Sequence, residues 1–210
     1  LLHKQEGLSL EQTEVTALVR EKGRVTAIET NDGRRIGCVA VILTTGTFLN
    51  GLCHVGEHKF AAGRSGEKTS VPLAESILSI GFQMGRLKTG TPPRLERESI
   101  DFSSFQVQLG DETPVFFSFR SQGLSQPQVP CWITHTNEQV HQIIRENLHR
   151  SPLYGGEISG IGPRYCPSIE DKIVKFSDRN QHQLFLEPES FDSNTIYVNG
   201  LSTSMPLDVQ

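Results

Sequence analysis

Apolar and polar positions alternate with the period of a β-strand near the start of the chain. Val15, Ala17 and Val19 fall on one face, the two-residue repeat that places every second side chain on the same side. Lys22-Gly23 interrupts the run as a turn, and Val25, Ala27 and Glu29 begin the return. Asn31-Asp32-Gly33 is a second turn signal, because these residue types accept left-handed backbone at little cost. From Ile36 to Thr44 the alternation stops and the chain is almost continuously Ile, Val, Ala and Cys. Such a run predicts a strand buried on both faces. The stretch from Thr13 to Leu49 therefore predicts a β-meander that feeds a central strand ending at Thr44-Thr45-Gly46.

The texture then changes. Gly51, Gly56, Gly63 and Gly66 punctuate a segment that also holds His54, His58 and Arg64, as expected of a loop that brings backbone close to a ligand. Pro72 opens a short helix through Leu78, closed at Gly81. Residues 85–94, GRLKTGTPPR, read as a direction-changing loop between domains, and 96–128 are irregular, with Phe102, Phe105, Phe116, Phe117 and Phe119 expected as anchors. Thr136 and Gln139 form a capping-box pair for a helix reaching about Arg150, whose apolar stripe is Val140, Ile143, Ile144 and Leu148. Ser168, with Asp171 three residues on, caps a second helical segment, and Leu184–Leu186 and Ile196–Val198 read as strands. The sum is an α/β chain without internal repeats, heptads or low-complexity tracts.

Composition narrows the class. The 210 residues are 36% hydrophobic and 21% charged, ordinary for a globular protein. There is no apolar run of about 18 residues or more, so no membrane span is expected. The first residues lack a basic-then-apolar leader pattern, and both ends read as interrupted, which predicts a piece of a longer chain. Cys38, Cys53, Cys131 and Cys166 are widely spaced with no CxxC pair, which favours a reduced cytosolic compartment over a disulfide framework. The net charge of −4 gives bulk electrostatics no role in nucleic-acid binding and leaves only a local basic patch to supply it.

Three segments carry candidate chemistry. In Gly162-Pro163-Arg164-Tyr165-Cys166-Pro167-Ser168-Ile169-Glu170-Asp171-Lys172, Cys166 stands just before a predicted helix start and near an arginine. Both features favour a thiolate, and free amides at the same place suit a phosphate; the plainer alternative is a structural cysteine between prolines. Arg86, Lys88 and Arg94, with the hydroxyls of Thr89 and Thr91, suit a phosphate or carboxylate, or else a solvated loop. Thr44-Thr45-Gly46-Thr47 is similar to the strand-to-glycine passage beside a flavin, although the GxGxxG fingerprint is absent from these residues. Cys53, His54 and His58 match no zinc spacing, so no metal is expected. His135 reads as a cap or polar core residue, and His182 is ambiguous.

Longer segments are more specific. They are TTGTFLNG at 44–51, GRSGE at 63–67, GRLKTGTPPRL at 85–95, VPCWITHTNE at 129–138, RSPLYGGEISGIGPRYCPSIEDK at 150–172 and RNQHQLFLEPE at 179–189. In this order and spacing the chain resembles the tRNA uridine 5-carboxymethylaminomethyl modification enzymes, the glucose-inhibited division protein A type, over nearly its whole length. Ser65 stands where that family's GRAG-type motif has Ala.

The resemblance implies residues 1–91 as the middle of an FAD-binding Rossmann-like domain, 92–190 as an inserted mixed α/β domain that binds NADH, and 191–210 as a return to the flavin domain. It implies NADH-dependent reduction of FAD and use of methylene-tetrahydrofolate to modify carbon 5 of the wobble uridine of tRNA. A GTPase partner, a homodimer and a cytoplasmic setting follow in the same way. Residue by residue, it implies Val15 and Ser70 at the flavin and Cys166 in catalysis. The nicotinamide cofactor would lie at Gly162, Pro163, Arg164, Tyr165, Cys166, Pro167, Ser168, Ile169, Glu170, Asp171, Lys172, Ile173, Val174, Lys175 and Phe176. Two other readings stay open: a non-catalytic tRNA- or partner-binding module, and a generic flavin oxidoreductase.

Overall fold

The computed structural model describes residues 2–64, 66–123, 126–158, 160 and 167–210. Its contacts divide the chain into two units, one of residues 1–54 and 58–85, the other of 55–57 and 86–210.

In the first unit, β1 (Val15–Glu21), β2 (Arg24–Thr30) and β3 (Arg35–Gly37) form an antiparallel three-stranded sheet. Lys22 and Gly23 both take positive φ, 49° and 83°, the two-residue turn whose twist matches the strands it joins. Gly33, at φ 83°, serves the second turn. β4 (Leu52–Val55) and β5 (His58–Ala61) make a separate two-stranded pair. Helix α1 (Val71–Ser79) starts with Pro72 in its first turn and ends before Gly81, which sits at φ 103°. Its Leu73 and Ile77 pack on Leu18 of β1, flanked by Val15, Ile28, Val41, Leu49 and Ile80. Burying each of these large side chains contributes about 1.5–3 kcal/mol. The amide of Leu18 donates to Ser76 Oγ on the helix at 2.9 Å.

Two expectations fail here. The packed face of β1 is that of Leu18 and Val15, not of Val15, Ala17 and Val19. The pairing slips between Val15 and Ala17, and an extra residue in a strand reverses the side on which later residues fall. The run 36–44 is not a buried strand. Pairing ends at Gly37, with one further bond from the Cys38 amide to Thr26, and Val39, Ile42 and Leu43 are exposed. Hydrophobicity alone does not make a strand: the backbone needs a neighbour to bond, and no described strand lies beside residues 39–44.

The second unit is built on an antiparallel five-stranded sheet. Its strands are β6 (Arg94–Glu96), β7 (Gln106–Gln108), β8 (Cys131–His135), β9 (Gln183–Pro188) and β10 (Thr195–Asn199), in the order β6-β10-β9-β8-β7. Alternation is clean in the two long strands. Leu184, Leu186, Ile196 and Val198 point inward with Trp132, and Phe102, Phe105, Ile100 and Leu201 cover them. α2 (Glu138–Glu146) and α3 (Ile169–Lys175) supply a second core of Ile144, Ile169, Ile173 and Met205. Leu201 touches both clusters. Phe116, Phe117 and Phe119, expected as anchors, are exposed. Ile143 also faces solvent, so α2 packs through Val140 and Ile144, with Leu148 following from the turn beyond its end.

Asn137, not Thr136, caps α2, its side chain accepting from the Val140 amide. The helix stops at Glu146, and a separate 3-10 turn covers Leu148–Arg150. Thr136 is freed for another task. Its Oγ1 accepts from the His182 amide at 2.9 Å and lies 2.7 Å from His141 Nε2, while its own amide donates to the His182 carbonyl. His141 and His182 are both buried, their rings 5.3 Å apart. His135, expected as a cap or core residue, is exposed instead.

Burial, first of all, holds both imidazoles below the ordinary histidine value. Arg145 adds to this at His141 while Glu138 opposes it, and His141, Lys172 and Arg179 add to it at His182. The unfolded chain therefore takes up these protons at higher pH than the folded one. Their effect on stability is nil well above the ordinary value of 6.5 and grows unfavourable as pH falls through it. Each histidine can remove up to about 1.4 kcal/mol per pH unit in that window. Denaturant unfolding between about pH 7.5 and about pH 5 checks this. Stability is expected to fall more steeply in the natural sequence than in a His141→Gln/His182→Gln double variant, and equal slopes would refute it.

Candidate functional site

α3 organises the polar centre of the second unit. Ser168 is its N-cap: the Asp171 amide donates to Ser168 Oγ at 3.3 Å, and that hydroxyl lies 3.3 Å from Asp171 Oδ2. The Ser168 cap is the one expected from the sequence, but the Asp171 carboxylate meets the Ser168 hydroxyl rather than the Ser168 amide of a full capping box. Ile169 and Ile173 fix the helix in the core, and the Ile169 amide donates to the Ser202 carbonyl at 2.7 Å.

Between those two anchors Glu170 is fully buried. Its Oε1 accepts from Thr203 Oγ1 at 3.0 Å, the Ser204 amide at 3.1 Å, Ser151 Oγ at 3.3 Å and Ser204 Oγ at 3.4 Å. One carboxylate thus ties the helix start to the segment after α2 and to the end of the chain. Lys172 reaches the carbonyl of Gly200 at 2.7 Å. Gly200 has φ 95°, and a Cβ there would lie 3.0 Å from the Gln183 carbonyl, so only glycine leaves that carbonyl approachable.

A half-buried side of α3 carries the charge. Asp171 takes Lys175 at 2.9 Å, Tyr154 Oη at 3.3 Å and Lys88 at 3.5 Å. Burial pushes its carboxyl up, but Lys175, Lys88 and Tyr154 together outweigh burial and hold it below the usual carboxylate value. Tyr154 is pushed up to about 12, by burial first and then by Asp171, so its phenol stays protonated and donates.

The basic loop divides. Lys88 is buried against α3, Arg86 is exposed, and Arg94 is committed to β6. There its guanidinium stacks 4.8 Å from the Tyr197 ring centroid and pairs with Glu189 at 3.1 Å. Of the expected nicotinamide run, Ile169, Glu170 and Ile173 are interior, whereas Pro167, Val174, Lys175 and Phe176 are exposed. Gly162, Pro163, Arg164, Tyr165 and Cys166 lie outside the described residues, as does Ser65. Val15 opens β1 and Ser70 precedes α1, both in the first unit.

Sequence reasoning missed Ser151, Tyr154, Thr203 and Ser204. Their partners on α3 are 17 to 34 positions away, and no local periodicity joins them. Burial pushes the thiols of Cys53 and Cys131 up, with Glu187 adding to the effect at Cys131, which disfavours the nucleophilic thiolate at both. No group of three or more metal-ligating side chains occurs among the described residues, and none of their helices is long and apolar enough to cross a membrane. An open hollow of about 400 Å³ is lined by Phe116, Gln128, Val129 and Phe191 among others, and none of the α3 cluster takes part.

Sequence comparison decides the family. The profile of the family described as Glucose inhibited division protein A matches residues 1–210. The chain belongs to that family. It is 54% identical over all 210 residues to the tRNA uridine 5-carboxymethylaminomethyl modification enzyme MnmG of Thermodesulfovibrio yellowstonii, and 53% identical to that of Geobacter sulfurreducens. In both cases it spans 34% of the relative's length. The crystal structure of Aquifex aeolicus GidA in its form I crystal superposes with a TM-score of 0.88 at 48% identity, covering 99% of this chain and 36% of that one. The mixed arrangement of helices and sheets is therefore the α/β fold of a stretch of the GidA family.

The position of Glu170 makes a stability prediction. Glu170→Ala leaves the Ser204 amide and the Thr203 and Ser151 hydroxyls without their acceptor, and is expected to cost about 2–4 kcal/mol. Glu170→Gln keeps one oxygen and is expected to cost less. Denaturant unfolding of the two variants checks the order; an Ala variant as stable as the parent would remove Glu170 from this role.

Proposed function

We propose that the intact protein is an FAD- and NADH-dependent tRNA-modifying enzyme. It adds a carboxymethylaminomethyl or aminomethyl group at carbon 5 of the wobble uridine, with methylene-tetrahydrofolate as one-carbon co-substrate. It works with a GTPase partner, as a homodimer, in the cytoplasm. The observation that carries this reading is identity above 50% over all 210 residues to enzymes named for that modification. The 210 residues span about a third of those relatives, so the activity belongs to the longer protein and this stretch alone is expected to be inactive.

The residues suit the assigned groups. Residues 1–91 are read as part of the flavin domain, with Val15 and Ser70 at the flavin, 92–190 as the nicotinamide-binding insertion, and 191–210 as a return to the flavin domain. The exposed apolar run at Val39, Ile42 and Leu43 supports the first assignment, since a sequence of that kind suits a strand between parallel neighbours. The polar centre around α3 supports the second. A buried lysine and a capped helix with two further lysines give anionic groups a place beside the described part of the expected nicotinamide run, residues 167–176. Arg86 and Arg94 are read as secondary phosphate contacts from the loop and its strand.

When bound, the two cofactors supply reducing equivalents to the modification reaction. The chain's own residues bind, orient and move protons. Cys166 is assigned as nucleophile or proton donor toward the uridine or its one-carbon adduct. Arg164 and Lys172 are assigned to phosphate, Lys172 in addition to its bond with Gly200.

Cys166→Ala in the intact protein is expected to lower wobble-uridine modification by about 100-fold or more, with an unchanged flavin spectrum. Nucleoside analysis of tRNA from cells that rely on the variant measures it. Full modification would end the catalytic assignment. A protein that binds tRNA without flavin or NADH would favour the binding-module reading.

A further inference from the structure

Lys88 is an anomaly. Its side chain is 4% exposed, and its Nζ donates a hydrogen bond to none of the described residues. The nearest anion is Asp171, at 3.5 Å, and that carboxylate already accepts from Lys175 at 2.9 Å, Tyr154 at 3.3 Å and Ser168 at 3.3 Å. An ammonium carries three donors, and leaving them unbonded away from water is costly, the more so for a charged group. The other lysines nearby are committed, Lys172 to Gly200 and Lys175 to Asp171.

The backbone around Lys88 is shaped for close approach. A Cβ on Gly160 would stand 3.1 Å from the Arg86 carbonyl and 3.3 Å from the Lys88 amide. A Cβ on Gly90 would stand 2.7 Å from that of Ser202. Glycine at both positions lets the loop press against its neighbours and keep the ammonium inside. Lys88 and Lys175 share one carboxylate, the neighbouring carboxylate of Glu170 accepts from Ser151, Thr203 and Ser204 instead, and Arg86 lies exposed two residues from Lys88.

We propose that Lys88 is the anchor of a buried anion site that takes a phosphate group of a nucleotide. A phosphate brings several strong acceptor oxygens to donors that lack them, and lysine serves such groups as a compact point charge. The excess positive charge around Asp171 compensates the anion. This rests on the reading of the protein as a nucleotide-dependent tRNA-modifying enzyme, and it assigns to Lys88 a task distinct from that of Arg94, which is held by Glu189 and Tyr197.

The test uses the intact protein and its Lys88→Met and Lys88→Gln variants, with calorimetric titration of inorganic pyrophosphate, NADH, nicotinamide riboside and unmodified tRNA. Thermal unfolding with and without pyrophosphate runs in parallel. Both variants are expected to fold, because Asp171 keeps its other partners. Pyrophosphate is expected to raise the unfolding temperature of the natural protein and of neither variant. A tenfold or greater loss for NADH, with nicotinamide riboside unaffected, identifies a dinucleotide as the source of the phosphate. The same loss confined to tRNA identifies the RNA backbone. Unchanged pyrophosphate, NADH and tRNA binding in both variants overturns the site, even if the natural protein modifies tRNA normally. A natural protein that fails to modify tRNA but loses pyrophosphate binding with Lys88 keeps the site and ends the enzymatic reading.

Discussion

A carboxylate that is removed from water must be given donors, and Glu170 shows how far a chain will go to supply them. The helix that carries it is only seven residues long, too short to persist by its own hydrogen bonds. Ile169 and Ile173 bury its apolar face, but apolar contacts are not directional and leave rotation and slippage open. The bonds from Ser151, Thr203 and Ser204 to one oxygen remove that freedom. With the helix start fixed, Asp171 follows, and with Asp171 the positions of Lys88, Lys175 and Tyr154. The geometry of the polar centre is thus inherited from a group that reaches no solvent.

The first unit relies on a simpler version of the same economy. α1 has only nine residues and no side-chain cap at Ser70. Leu73 and Ile77 hold it to Leu18, and the Leu18 amide, which bonds across to Ser76, gives the contact a register. At residues 38–44 the opposite holds. The side chains there are as apolar as those of α1, yet several are exposed. Apolar character specifies burial only where a partner exists to accept both the side chains and the backbone bonds.

This distinction explains what could be read from the sequence. Features set by a residue and its immediate neighbours were legible: the Lys22-Gly23 turn, the Pro72 start and Gly81 stop of α1, the Ser168–Asp171 cap, and the alternation of β9 and β10. Features set by distant partners were not. The slip at Thr16 inverted the assigned face of β1 because register is a property of two strands. Asn137 displaced Thr136 as the cap of α2 because the Thr136 hydroxyl had a stronger claim, the buried pair His141 and His182. Phe116, Phe117 and Phe119 looked like anchors by residue type, but no described core lies under them. At the candidate site, α3 and its cap were visible, whereas the bonds that hold it cross gaps of up to 34 positions.

Charge was the least legible property of all. The chain carries a net −4, and several of its arginines face a carboxylate: Arg34 with Glu11 and Asp32, Arg35 with Glu21, Arg64 with Glu67, Arg94 with Glu189, Arg145 with Glu138, Arg150 with Asp208. Pairs so exposed contribute little stability, typically about 0–1 kcal/mol, but the two charges of each pair cancel at a distance, so these paired arginines add little to any broad attractive face. Lys88 stands outside this pattern because it is buried and shares its only close carboxylate among the described residues, Asp171 at 3.5 Å, with Lys175. In a low-dielectric setting a single ammonium acts strongly on whatever anion reaches it and hardly at all on one that does not. That is the electrostatics of a site that discriminates by fit, and in this chain the basic groups at the surface and the basic group in the interior therefore do different work.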